Sequence, residues 1–390
     1  MLKKIVSLCL VLSFAMAFFT VPLFAKDNVK TTLKVYNWGE YISDGADETM
    51  DVIAEFEKHY PDIDVDYQTF GTNEEMYAKI ASGSAEYDVI IPSDYMISKM
   101  IKGDLLAKID YNNIPNYMFI DREFKNLEFD PKNEYSVPYT WGTVGIIYNK
   151  KMVSETVDSW DMLWNEKYKN KILMFNNSRD AYGIALKKLG YSQNTTNKDE
   201  IDQATELLKE QKTVIKSYVM DEIFDKMTIG EAALAPYYAG DAITMIKDNP
   251  DLAFVVPKEG SNKFVDSMVI AKSSKNKAIA ETFIDFMLEP EVAKANIEYI
   301  GYSTPMSLVR DMLDKNLRES PISYPESEVL ARCDTFLDLP EETNEYISES
   351  WNDVMAYGSN NVVTLIILVV IVLAIAAGVI FLFIKRKNSK

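Results

Sequence analysis

The chain has 390 residues, of which 59 are acidic and 41 basic, and its formal net charge is −18 at pH 7. This length is sufficient for two domains with substantial cores. The acidic balance argues against nucleic acid or an anionic membrane surface as a partner and favours a cationic one.

Both ends of the sequence carry patterns that are typical of membrane targeting. Residues 1–25 place Lys3 and Lys4 before an apolar run, which predicts a secretory signal peptide. Two cleavage positions compete, one after Ala25 and one at residues 15–17, and an uncleaved anchor is the alternative. Residues 362–384 contain no charged side chain and exceed the ~20 residues that span a bilayer. The basic tail, residues 385–390, predicts a single-pass protein of the cell membrane, with its large domain on the extracytoplasmic (periplasmic or extracellular) face.

The first third of the chain alternates between strand and helix patterns. Strands are predicted near residues 32–36, 62–67 and 87–92, and helices near 50–60 and 73–82. Pro61 ends the first helix because proline cannot continue it. This alternation predicts a mostly parallel α/β sheet.

A second α/β run follows and then returns to the first domain. Strands are predicted at residues 144–148, 172–175, 232–238 and 252–256, and helices near 181–189 and 200–211. A further strand at 263–270 and a helix at 276–288 complete the return.

The strand at 263–270 places an aromatic ring beside a carboxylate. Phe264 and Asp266 are two residues apart, so they point to the same face of the strand. The carboxylate is suited to an ammonium group and the ring to the alkyl chain behind it, with a cation–π attraction of about 0.5–2 kcal/mol. The alternative is a solvent-exposed acid beside a core phenylalanine.

Similar pairs follow other predicted strands. Ligands of parallel α/β sheets bind beyond the carboxyl ends of the strands. The candidates at those positions are Trp38, Glu40, Tyr41, Ser93, Asp94, Tyr95, Asn177, Asp180, Tyr238 and Asp241. A groove of aromatic rings and carboxylates is complementary to ammonium groups joined by methylenes, that is, to a polyamine. Each buried methylene contributes ~0.8 kcal/mol.

Catalysis is poorly supported. His59, the only histidine, precedes the helix-ending Pro61, and Cys333, the only cysteine outside the predicted signal, has no catalytic or metal-binding context. No phosphate-binding glycine loop and no dense cluster of metal ligands is present in the sequence. The sequence therefore predicts a binding protein without metal or other cofactor, not an enzyme.

Several collinear motifs resemble the spermidine/putrescine-binding proteins of bacterial ABC transporters. They cover roughly residues 33 to 325. The motifs are Tyr36–Trp38 with Tyr41, Asn73–Lys79, Tyr87–Tyr95, Ser136–Gly142, Leu186–Thr196, Pro257–Ser267 and Gly301–Pro305.

The resemblance implies the periplasmic-binding-protein fold of type II, in which two α/β lobes joined by hinge strands close on a ligand. The site residues that it implies are Trp38, Tyr41, Ser93, Tyr95, Asp180, Tyr238, Phe264, Asp266 and Tyr302. Glu40 and Asp241 resemble acids of putrescine-specific relatives. A spermidine-preferring relative has two tryptophans where this chain has Tyr238 and Phe264, and a carboxylate where this chain has Asn177. The C-terminal glutamine of that relative has no clear counterpart here, because residues near Phe336 align poorly with it.

These considerations predict the following division of the chain. The first lobe comprises residues 32–139 and 267–310, and the second comprises 140–266 and 311–343. Residues 344–361 form a juxtamembrane linker, of which 344–359 is either a polar helix or an irregular segment, before the transmembrane helix at 362–384. The predicted protein is a monomer that captures putrescine or spermidine and delivers it to the permease subunits of an ABC transporter. The alternative is a membrane-anchored receptor or sensor for another small cationic solute.

Overall fold

The computed structural model describes residues 30–358. The predicted signal peptide (residues 1–25), transmembrane helix (362–384) and tail (385–390) lie outside the described residues. Within 30–358, no helix is both long enough and apolar enough to cross a bilayer.

Nine strands of the described chain form one continuous mixed sheet. They are β1 (Thr31–Trp38), β2 (Ile63–Phe70), β3 (Val89–Ile90), β4 (Ser136–Asn149), β5 (Ile172–Phe175), β6 (Ile215–Val219), β7 (Leu234–Tyr238), β8 (Leu252–Val255) and β9 (Lys263–Ile270). The order is β2-β1-β3-β9-β4-β7-β5-β6, and β8 pairs with β4. Each half contains three mutually parallel strands, β2-β1-β3 in one and β7-β5-β6 in the other. The predicted two α/β lobes are therefore present.

Thirteen α-helices flank the sheet in the part of the chain that the structure describes. They are α1 (Val52–His59), α2 (Asn73–Ala81), α3 (Asp94–Lys102), α4 (Ser178–Lys188), α5 (Lys198–Gln211), α6 (Ile223–Thr228), α7 (Ala239–Asp248), α8 (Lys277–Met287), α9 (Pro290–Ile300), α10 (Ser307–Met312), α11 (Lys315–Arg318), α12 (Ser327–Leu330) and α13 (Glu341–Ala356). Side-chain caps fix several N-termini, because Thr72 accepts from the Glu75 amide and Asn177 from the Arg179 amide.

Strands β4 and β9 connect the lobes. Residues 136–143 of β4 pair antiparallel with β9, whereas residues 144–149 pair with β7 and β8 in the second lobe. At its other end β9 pairs with β3 of the first lobe. A register shift between Pro138 and Thr140 interrupts the ladder beside the first lobe. These two crossing strands occupy the place that the resemblance predicts for the hinge strands.

The structure differs from the predicted division in the last third of the chain. Helix α10 packs on α9, and the Asp314 amide donates to Glu298 Oε1, so residues 307–318 belong with the first lobe. Helix α13 packs on α4 and α5 of the second lobe and buries Ile347 and Val354, so the predicted linker at 344–361 begins as a packed helix. The sequence predicts a polar helix or a linker for this segment, and what it does not predict is that the helix packs on the second lobe through one narrow apolar stripe.

Candidate functional site

A cavity lies between the two lobes, where the carboxyl ends of the parallel strands meet. It is lined by residues at or after the ends of β1, β3, β5, β6 and β7, together with residues of β9. Eleven of the twelve predicted ligand-binding residues line it: Trp38, Tyr41, Ser93, Asp94, Tyr95, Asp180, Tyr238, Asp241, Phe264, Asp266 and Tyr302. None of the described residues that line the cavity is lysine, arginine or histidine.

Asp266 lies on β9 with one carboxylate oxygen in a hydrogen bond of ordinary geometry and one without. Its Oδ2 accepts a hydrogen bond of 2.6 Å from the Tyr41 hydroxyl, across 225 positions of the chain. Its Oδ1 is buried and makes no hydrogen bond of ordinary geometry with a described residue, although the nearby Ser93 hydroxyl acts on the carboxyl group and lowers its pKa. A buried carboxylate oxygen without a well-placed donor is costly, so this atom is suited to a donor that arrives with a ligand.

An aromatic wall links two further carboxylates to Phe264. The Tyr302 hydroxyl donates to Asp241 Oδ2 at 2.8 Å, and the Tyr238 hydroxyl donates to Asp180 Oδ2 at 2.8 Å. The Phe264 ring lies 6.2 Å from the Tyr302 ring and 5.6 Å from the Tyr238 ring. Along this wall the order is therefore Asp241, Tyr302, Phe264, Tyr238 and Asp180. Asp266 shares the central position because it lies on the same strand face as Phe264.

Burial raises the pKa values of the carboxyl groups of the cavity. Loss of hydration raises the pKa of Asp180 to about 7 and that of Asp266 to about 6, even though tyrosine hydroxyls donate to both. The same cause raises the pKa of Asp241 well above its usual range. The cavity therefore contains several buried acids, and none of its described lining residues is a cation, although Arg179 acts on Asp180 from outside the lining.

Two of the predicted ligand-binding residues, Asp94 and Tyr95, form hydrogen bonds with neighbouring protein groups in the cavity wall. The Asp94 carboxylate accepts from the backbone amides of Tyr95 at 2.7 Å and Val265 at 3.2 Å, and burial raises its pKa to about 8. The Tyr95 hydroxyl donates to Glu74 Oε1 at 2.9 Å. Both residues tie the start of α3 to neighbouring elements.

Glu40 is the predicted residue that the structure does not bring to the cavity. It lies in the turn after β1 with a positive φ of 49°, and it is exposed. Its pKa is raised by loss of hydration and by the negative charges of Asp221 and Asp44. Its side chain is not part of the cavity lining, although Glu40 lies near enough to Asp221 and Asp241 of the lining for their charges to interact.

Sequence reasoning missed several residues that line the cavity. The most consequential is Asp221, which follows β6 and whose Oδ1 lies 3.5 Å from the Tyr237 hydroxyl. Loss of hydration raises the pKa of Asp221. The others are Gly39, Asn73, Met220, Phe224, Tyr237, Asn262 and Phe336. The sequence pattern does not predict strand β6. Had it done so, Asp221 would have been a candidate as an acid that follows the end of a strand.

The fold and this cavity define a two-lobed solute-binding protein. The family model of bacterial extracellular solute-binding proteins matches residues 51–321. The chain belongs to that family, and the family agrees with the expectation of a binding protein, not an enzyme.

Relatives and solved structures point to one group within the family. The chain is 36% identical, over 83% of its length and 90% of the relative's, to the spermidine/putrescine-binding periplasmic protein of Salmonella typhimurium. It is 29% identical, over 85% of its length and 93% of the relative's, to a putrescine-binding periplasmic protein of Pseudomonas aeruginosa. It also resembles the structure of a spermidine/putrescine ABC transporter substrate-binding protein from Streptococcus pneumoniae, with a TM-score of 0.70 and 38% identity over 84% of this chain and 99% of that one.

Proposed function

We propose that this chain is an extracytoplasmic receptor that captures a polyamine between its two lobes and delivers it to the permease of an ABC importer. The observation that carries the proposal is Asp266 Oδ1, a buried carboxylate oxygen without a hydrogen bond of ordinary geometry to a described residue, in an aromatic cavity that has no basic residue in its described lining. The names of the relatives support the same ligand class.

The chemistry of the cavity fits an ammonium group at Asp266. An ammonium donates up to three hydrogen bonds, and a charged donor on a carboxylate makes the stronger type of bond. Phe264 and Tyr302 cover the methylenes beside it, since both rings are buried in the wall. The polyamine therefore satisfies the buried acid and fills the apolar space in one step.

The ligand class is tested by calorimetric titration of the purified full-length protein in detergent. Putrescine and spermidine are titrated beside arginine and glutamate at the same concentrations. Binding of at least one polyamine, and of neither amino acid, is expected. Tighter binding of an amino acid than of any polyamine would overturn the proposal in favour of a receptor for another cationic solute.

Polyamine affinity should rise with pH between about pH 5 and pH 8. The ligand-free carboxyls of Asp266 and Asp180 have pKa values of about 6 and 7, so at pH 5 both carry protons that binding must release. One pH unit below a pKa costs about tenfold in the ionised fraction, so a loss of at least about tenfold at pH 5 is expected. Calorimetry in two buffers of different ionisation enthalpy should show net proton release, and net proton uptake would contradict this assignment.

The same shifts set the sign of the effect on stability. Because these carboxyls have a higher pKa in the folded protein than their ordinary value of 3.8, the folded state binds more protons than the unfolded chain up to about pH 7. Their contribution to the free energy of unfolding is therefore greatest below their ordinary pKa and falls as pH rises through about 7. Polyamine should offset that loss, which thermal unfolding with and without ligand can measure.

We further infer that residues 362–384 hold the receptor at the membrane surface as a tether. The support is the uncharged sequence with its basic flank, and none of the described residues after Phe336 lines the cavity. A chain that ends at Asn361 should keep the polyamine affinity of the full-length protein. A large loss of affinity on truncation, measured by calorimetry, would show that the C-terminal segment helps to form the site.

A further inference from the structure

Residues 334–338 form a short segment after α12 that is anchored to the second lobe. The Asp334 carboxylate pairs with Lys187 of α4. Further along the segment, Arg179 of the same helix donates to the Leu337 carbonyl at 3.1 Å. This anchored segment therefore moves with the second lobe.

The anchored segment also meets α3, the helix that follows β3 of the first lobe. The Phe336 ring lies edge-on to the Tyr95 ring in the wall of the cavity, with 5.9 Å between the ring centres. Two residues further along, Asp338 Oδ2 accepts a hydrogen bond of 2.6 Å from Lys102 Nζ at the end of α3. The segment thus contacts the first lobe at two points outside the hinge strands.

The Lys102–Asp338 contact differs from the other ion pairs of the described residues. Each of the others joins groups of a single lobe, when the anchored segment and α13 are counted with the second lobe on which they pack. Within the described part of the chain, Lys102–Asp338 is therefore the one ion pair that joins the two lobes.

The pair lies where a change in the angle between the lobes must affect it. Lys102 and Asp338 both line a groove that runs beside the cavity and shares part of its wall. The lobes are in contact in this form, because the Tyr302 hydroxyl of the first lobe donates to Asp241 of the second at 2.8 Å. A bond of 2.6 Å is already at the short end of the usual range, so rotation of the lobes away from this form can lengthen it but not shorten it.

The surroundings of Asp338 give this pair more weight than an ordinary surface pair has. Only 8% of the Asp338 side chain is exposed, and Lys102 supplies the one hydrogen bond that its carboxylate accepts from a described residue. The Lys102 side chain is 66% exposed, so the lysine regains hydration when the pair breaks. The carboxylate regains little while its segment stays anchored, and an unpaired, largely buried charge is costly.

We propose that Lys102 and Asp338 form a latch that holds the two lobes together after a ligand has bound. The inference rests on the proposed function and concerns how long the receptor retains its ligand. Neither residue lines the cavity, so the latch acts on the lobes and not on the ligand itself. Because it stabilises the ligand-bound form, it should slow the release of the ligand more than it affects capture.

Lys102→Met is the substitution that tests the latch, because the lysine ammonium makes no other hydrogen bond or ion pair with a described residue. Calorimetry of the full-length protein in detergent uses whichever of putrescine and spermidine binds more tightly. Its affinity should fall about threefold to tenfold. The dissociation rate, followed by stopped-flow tryptophan fluorescence, should rise by a similar factor. Methionine has nearly the helix propensity of lysine, so the melting temperature of the ligand-free protein should not change.

Lys108→Met is the matched control. The Lys108 side chain is 60% exposed and pairs with Glu134 at 2.8 Å, but both residues belong to the first lobe. The control makes the same change in net charge and should leave affinity and dissociation rate unchanged.

A cycle of variants separates the pair from two independent structural roles. Asp338→Asn should weaken binding as Lys102→Met does, and the double variant should bind no more weakly than the weaker single variant. The losses are not additive because each substitution removes the same interaction.

The outcomes separate the latch from the proposed function. Equal affinity and dissociation rate in folded Lys102→Met and the unchanged protein overturn the latch and leave the polyamine receptor standing. Tighter binding in Lys102→Met also overturns the latch, since the pair would then favour the open form. Additive losses in the double variant overturn the assignment of the effect to this pair. Failure of both polyamines to bind the unchanged protein overturns the proposed function and the inference with it.

Discussion

Replacement of Asp266 by asparagine is expected to abolish most of the polyamine affinity while leaving the protein folded. The carboxylate offers Oδ1 to an ammonium group, and an asparagine side chain would offer a neutral amide in its place. Truncating one partner of a buried charge pair costs about 2–5 kcal/mol of binding. Calorimetry with putrescine measures the loss.

The folded state should tolerate this change. An asparagine oxygen can still accept from the Tyr41 hydroxyl, which donates to Asp266 Oδ2 at 2.6 Å. The substitution also removes a buried acid whose pKa is raised by loss of hydration. The melting temperature of the ligand-free variant should therefore be unchanged or higher.

A matched control separates the site from general charge effects. Asp311→Asn makes the same change on α10, where the side chain is exposed and lies outside the cavity. It should bind polyamine as the unchanged protein does. Unchanged affinity in Asp266→Asn would show that Asp266 is not the anchor.

The position of Asp266 could be predicted because it depends on local pattern alone. Strand β9 has the predicted bounds, Lys263–Ile270, and a period of two is sufficient to place Phe264 and Asp266 on one face. The contact with Tyr41 could not be predicted in this way. It joins residues 225 positions apart and depends on how the first lobe packs against the hinge strands.

The residues that sequence reasoning missed lie where local pattern is weak. Asp221 follows β6, a strand of five residues with only Ile215 and Val219 buried. Phe336 lies outside regular secondary structure and is held at the cavity by the hydrogen bonds of Arg179 and Asn194 to its neighbours. Tertiary contacts place both residues, and no periodicity in the sequence reports such contacts.

Glu40 is the opposite case, a residue that the sequence predicts for the site and that does not line the cavity. Its position after β1 satisfied the strand-end rule, but the rule gives the end of the strand and not the direction of the turn that follows. A left-handed residue immediately after Gly39 changes that direction. Such a conformation is uncommon outside glycine and asparagine, so a glutamate at this position does not indicate a left-handed turn.

Contact between the lobes at Gly240 carries the second large prediction. Gly240 lies in the first turn of α7 in the second lobe, and Tyr302 follows α9 of the first lobe. A methyl group added at Gly240 would lie 1.9 Å from Tyr302 Cδ2, within the ring itself. The Tyr302 ring is buried and its hydroxyl is bonded to Asp241, so it has little room to move aside.

Gly240→Ala is therefore expected to weaken polyamine binding by about 1–3 kcal/mol, the usual cost of overpacking a well-packed contact. The second lobe itself should not be destabilised, because alanine is favoured over glycine within a helix by about 1 kcal/mol. The substitution thus acts on the approach of the lobes and not on their folding.

Small-angle scattering at saturating putrescine should give a larger radius of gyration for the variant than for the unchanged protein. Gly71→Ala is the control, since the nearest atom to its added methyl, Glu75 Oε2, lies at an ordinary 3.6 Å. Equal affinity and equal compaction in Gly240→Ala would mean that binding does not require the Gly240–Tyr302 contact seen here.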